Sequence, residues 1–148
     1  MNKLKLNARI DATLGDRVME KLDSLGLSLP NKPSGQIPDL PADMTTLTSR
    51  DVGRLLSEYC SWLSYITPRV AMAKMDAKAG KAALVAAKSR KANPSELASL
   101  EADFLYKDSF ASVLEGLEKA TLRKKEATSR EISRLIDTGT GKESRYTP

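Results

Sequence analysis

From Leu47 onward, apolar residues recur in alternating steps of four and three: Val52, Leu56, Tyr59, Leu63, Ile66, Val70, Ala73, Ala77, Gly80, Leu84 and Ala87. That spacing is a heptad-like seam on one face of a long helix. Leu55 and Trp62 widen it near its start. The stretch "LTSRDV" marks where the helix begins. Thr48 is the N-cap, Asp51 stands at N3, and Leu47 and Val52 form the hydrophobic staple. Pro68 falls inside the seam and predicts a kink or a junction between two helices. A second start signal, "ANPSE", places Asn93 at a cap, Pro94 at the first helical position and Glu96 at N3. The inward residues of the helix that follows are Leu97, Leu100, Phe104, Ala111, Leu114, Leu117, Thr121, Leu122, Ile132 and Leu135, and it stops near "DTGTG". Two helices of about 43 residues, joined by a tight turn at Asn93, make an antiparallel hairpin of roughly 65 Å. Ala and Gly dominate the seam near the turn, so the backbones can approach closely there or leave a groove for another helix.

Ahead of the hairpin the period changes. Residues 3–10, "KLKLNARI", alternate with period 2, which is a short strand with Leu4, Leu6, Ala8 and Ile10 on one side. A short helix follows, capped by Asp11 or Thr13, with Leu14, Val18, Leu22 and Leu25 as its stripe and Gly26 as terminator. Pro30, Pro33, Pro38 and Pro41 make the next segment a semi-rigid linker. The expected organisation is all-α: a strand-helix arm (1–28), a Pro-rich linker (29–46), a helical hairpin domain (47–138) and a mobile tail (139–148). A single hairpin with a narrow seam buries little, so homo-oligomerisation is expected. Trp62, Leu55, Met72 and Met75 are apolar yet off the main line. They call for cover from another subunit or from the N-terminal segment.

The strand-helix resembles the first half of a ribbon-helix-helix DNA-binding domain. That resemblance would place Lys3, Lys5, Asn7 and Arg9 in a major groove. The second helix of that domain is missing, and packing of the arm on the protein or a neighbouring subunit is the favoured reading.

Charge adds a candidate chemistry. The 148-residue chain has a formal net charge of +5 and no histidine, which removes the commonest general base and metal ligand. Residues 69–91 hold seven basic side chains and one acid, Asp76, whereas residues 96–118 hold six acids and one base. In an antiparallel hairpin these blocks lie side by side and answer one another. Two basic spots are left over: one at the tip, with Lys81, Lys88, Arg90 and Lys91, and one at residues 119–134. Such spots suit nucleic-acid backbone. There is no Gly-rich phosphate loop and no metal-ligand spacing, and the serines have no histidine to activate them, so no enzyme and no cofactor are expected. The lone Cys60 reads as a small core residue. The first ten residues lack a signal peptide's apolar run and no stretch reaches the length of a membrane span, so a cytoplasmic protein is expected, in a host cytoplasm if phage-encoded.

"EYCSWLSYI", with Tyr59, Trp62 and Leu63 as Y-x-x-W-L, is followed by "KMDAKAGKAALVAAKSR". That arm contains Asp76–Ala77 and ends in K-x-R at Lys88 and Arg90. Over roughly residues 55–91 this resembles the UvsY-type recombination mediators of tailed phages. The resemblance implies a small helical oligomer that binds single-stranded DNA, displaces single-strand-binding protein and loads a RecA-like recombinase. It also implies Lys88 and Arg90 on the DNA backbone. A virion assembly protein making only protein contacts, and a ribbon-type DNA-binding regulator, are the alternatives.

Overall fold

The computed structural model describes residues 13–143, with side chains through Gly139. Among them are three α-helices, α1 (Leu14–Ser24), α2 (Ser49–Ser89) and α3 (Pro94–Glu143), one 3-10 turn (Met44–Thr46), and no strand. The chain is an all-α helical hairpin with a preceding short helix. The strand expected at residues 3–10 lies outside the described residues.

Local capping sets the helix starts. Thr13 caps α1 in a full capping box with Asp16. The Asp51 amide donates to the Thr48 hydroxyl (3.2 Å), which in turn donates to the Asp51 carboxylate (2.6 Å). That second bond holds the Asp51 carboxyl below the usual carboxylate range. The Glu96 amide donates to the Asn93 side chain at 2.8 Å. Three helix starts are thus satisfied by residues three apart in sequence.

Helix ends depart further from expectation. α1 ends in a Schellman motif: Leu27 donates to the Leu22 carbonyl and Gly26, with φ +71°, donates to that of Asp23. α3 does not stop at "DTGTG" but runs to Glu143. Gly139 does not take the positive φ that a helix-ending glycine adopts, so it continues the helix at a cost of about 1 kcal/mol. Likewise Pro68 makes no junction, since α2 is one helix through it. The proline removes one amide donor, and the turns on either side remain hydrogen-bonded.

The chain forms two compact units: Met1–Pro30 with Thr67–Gly116, and Asn31–Ile66 with Leu117–Pro148. In the first, Val70, Ala73, Ala77, Leu84, Ala87 and Ala111 are buried, as the seam predicts. A Cβ on Gly80 would sit 3.5 Å from the Phe104 Cα, so the two backbones do approach closely there. α1 is held through its first turn: the Gly15 amide donates to the Asp76 carboxylate at 2.7 Å. That places a carboxylate on the positive end of the α1 dipole. A Cβ at residue 15 would lie 3.0 Å from the same carboxylate, which explains a glycine here.

In the second unit, Val52, Tyr59, Trp62 and Ile66 are buried. Trp62 meets the Tyr65 ring edge-on at 6.0 Å. Opposite them in sequence, α3 contributes polar residues. Thr121 and Thr128 are fully buried, their hydroxyls donating to the carbonyls of Leu117 and Lys124 at 2.8 Å. Each is satisfied within its own helix.

Two further expectations change. Leu117 and Leu122 are 42 and 41% exposed rather than inward, whereas Thr121 is buried as expected and Thr128, one heptad on, is buried with it. Cys60 is exposed, because it follows buried Tyr59 by one position and so points about 100° away from the seam. Trp62 is buried and Leu55, Met72 and Met75 are half-buried within a single chain.

Candidate nucleic-acid interface

The hairpin tip is built by the end of α2. Its last turn closes in a second Schellman motif, with Ala92 donating to the Ala87 carbonyl and Lys91 to that of Lys88. The position that usually holds glycine is here Lys91, with φ +55°. A side chain in that region carries roughly 1 kcal/mol of strain. Lys91→Gly is therefore expected to stabilise the protein by roughly 0.5–1 kcal/mol while removing one tip charge. Urea denaturation measures this, and a loss of stability would mean that the Lys91 side chain itself supports the turn.

Lys81, Lys88, Arg90 and Lys91 are all exposed. They are not equivalent. Arg90 grips Glu96 with both arms of its guanidinium, Nη1 donating to Oε2 at 3.2 Å and Nη2 to Oε1. These hydrogen bonds hold Glu96 below the usual carboxylate range and push Arg90 further up. Arg90 thus staples the turn. The K-x-R pair is split, with Lys88 free of any ion pair to the described residues and Arg90 engaged.

The basic charge of α2 has a definite geometry. Lys74, Lys78, Lys81 and Lys88 are spaced by four, three and seven. At 3.6 residues per turn they fall within roughly a quarter of the α2 circumference and extend about 21 Å along it. The acids across the hairpin were expected to answer this row, but only Lys74 finds one, Glu115 at 3.0 Å. Asp103 is taken by Lys107 on its own helix at 2.8 Å. Lys78, Lys81, Lys88 and Lys91 make no ion pair with a described residue. Beside the row runs an open groove of about 410 Å³, with Lys74, Lys78 and Lys81 from α2, Asp108, Ser112 and Glu115 from α3, and Phe104 and Ala111 between. Lys74 and Lys78 were not among the expected site residues; their 4-3-7 spacing from Lys81 and Lys88 was the signal that would have found them.

Two cations of the second basic spot are tied into the fold. Lys124 donates to the Pro38 carbonyl at 3.1 Å and to Asp39 at 3.3 Å, so it ties down the linker. Arg134 holds the buried Glu131 through Nε at 3.0 Å to both carboxylate oxygens. These bonds keep the Glu131 carboxyl low. Among the described residues no cluster of histidine, cysteine, aspartate or glutamate is able to hold a metal ion, and no helix is long and apolar enough to cross a membrane. Comparison with protein-family models, with curated proteins and with solved structures gives no match.

Proposed function

We propose that the protein binds single-stranded DNA along the Lys74–Lys88 row and acts as a recombination mediator. In this reading it is an oligomer of helical hairpins that displaces single-strand-binding protein and helps load a RecA-like recombinase. The observation that carries the nucleic-acid part is the row itself: three exposed lysines on one helix face, without acidic partners among the described residues, continuing to Lys91 at the tip. Lysine ammoniums on flexible stems bind phosphates as point charges without reading bases. A flexible single strand can follow a straight row on one helix, whereas the phosphates of a rigid duplex wind around its axis and leave the row. The mediator part rests on the resemblance over residues 55–91.

Fluorescence anisotropy with single- and double-stranded oligonucleotides at about 50 and 200 mM salt tests the reading. Tighter single-strand binding is expected. Three to four phosphate contacts give a log-log salt slope of roughly −2 to −3, since each contributes about −0.7 on a single strand. Duplex preference would favour the ribbon-type regulator. Absence of binding would favour the assembly protein, a reading supported by the exposed apolar face of α3: Leu105, Tyr106, Phe110 and Val113.

A further inference from the structure

Charges of both signs line the groove beside the lysine row, yet they do not close on one another. Lys78 and Lys81 stand on its α2 wall, Asp108 and Ser112 on its α3 wall. Neither these lysines nor Asp108 make an ion pair with a described residue, and the Ser112 hydroxyl makes no hydrogen bond with one. Lys74 meets Glu115 at the end away from the hairpin turn. Between the walls lie buried Ala77 and Ala111 and half-buried Phe104, whose ring has no aromatic partner among the described residues. All of these residues belong to one compact unit. The groove's volume of about 410 Å³ falls within the range of small-ligand clefts, about 300–1,000 Å³.

We infer that this groove seats a base of the single strand whose phosphates lie on the lysine row, and that it prefers a base with an exocyclic amine. The inference rests on the single-strand reading above and adds a base preference to it. The mixed lining selects the occupant. A bare anion would meet Asp108 and Glu115, a cation would meet the lysines, and an aliphatic chain would strip water from unpaired charges on both walls. A nucleotide combines an anionic phosphate, flat apolar faces and an edge of hydrogen-bond donors and acceptors. Its phosphate suits Lys78 and Lys81, and its ring suits the floor of Phe104 and the two alanines, since bases stack on aromatic side chains whatever their identity. Its outer edge then reaches the α3 wall. The Asp108 carboxylate only accepts, so it favours the amine of cytosine over the carbonyl that thymine carries at the same place. That edge is open in a single strand and paired in a duplex. The lysines themselves stay blind to sequence, and the preference belongs to the opposite wall.

Anisotropy titrations of the full chain with oligo-dC, oligo-dT and an abasic strand of equal phosphate count, at one salt concentration, test the inference. Oligo-dC is expected to bind about five-fold tighter than oligo-dT. The abasic strand should bind at least about five-fold more weakly than either. Asp108→Ala removes an acid near the strand, so it should tighten oligo-dT, yet the ratio of dC to dT affinity should fall to about one. An acid acting only through its charge would tighten all three strands and leave that ratio unchanged. Phe104→Leu keeps an apolar side chain without the ring, and it should narrow the gap between oligo-dT and the abasic strand. If circular dichroism shows that Phe104→Leu loses helix, the ratio in Asp108→Ala decides, because Asp108 is exposed. Equal binding of dC and dT, an unchanged ratio in Asp108→Ala, or an abasic strand bound as tightly as the others would each overturn the base site while leaving phosphate binding by the lysine row intact. Absence of binding to all three strands would overturn the base site and the single-strand reading together.

Discussion

Replacing Lys78, Lys81 and Lys88 together by alanine is expected to lower single-strand affinity by roughly two to three orders of magnitude at about 50 mM salt. The size follows from counterion release. Each lost phosphate contact removes about 0.7 from the log-log salt slope, so three contacts flatten it by about two and weaken binding most at low salt. The loss should be the same for every sequence, because phosphates carry no base identity. Stability should move by less than about 1 kcal/mol, since none of the three makes an ion pair with a described residue. Arg90→Ala is the informative contrast. Arg90 is engaged with Glu96, so this change should cost far less affinity than Lys88→Ala. Equal losses at Lys88 and Arg90 would mean that Glu96 releases Arg90 to the strand. No loss in the triple variant would remove the lysine row as the binding path.

Tyr59→Ala is expected to cost about 3–5 kcal/mol, the largest stability effect of a single substitution in the molecule. Tyr59 is 0% exposed, and its hydroxyl donates to the Pro38 carbonyl at 3.1 Å. Burial pushes its phenol pKa up, with the carboxylates of Asp39 and Glu58 adding to the effect. Truncation leaves a ring-sized cavity and frees the linker at one of its anchors. Tyr59→Phe keeps the ring and should cost only about 1 kcal/mol, because the Pro38 carbonyl still accepts from Lys124. Chemical denaturation of the two variants gives both values. A cost below about 1 kcal/mol for Tyr59→Ala would show that the site collapses around the missing ring.

The lysine row and the Tyr59 anchor differ in how legible they were. Caps at Thr48 and Asn93 depend on residues three apart, and the seam from Val52 to Ala87 depends on helix period, so both were readable along the chain. The hairpin follows from them. The anchors of the linker and of α1 were not readable. Tyr59 and Lys124 converge on Pro38 across 21 and 86 residues, and Asp76 receives the Gly15 amide across 61. No local pattern encodes such pairs, because any buried tyrosine or lone acid fits the same periodicity. The basic residues show the same division. Charge blocks announce that a basic arm faces an acidic one, but an ion pair needs a particular reach and rotamer. Lys74 meets Glu115 while Lys78, Lys81 and Lys88 meet no acid among the described residues. The sequence by itself determined the helices, their starts and the narrow Ala/Gly seam, because these are short-range consequences of capping and periodicity. Only the tertiary structure decided which cations stay available, that Arg90 serves the turn, and that α3 keeps a second apolar face in water, because each depends on what lies across the hairpin.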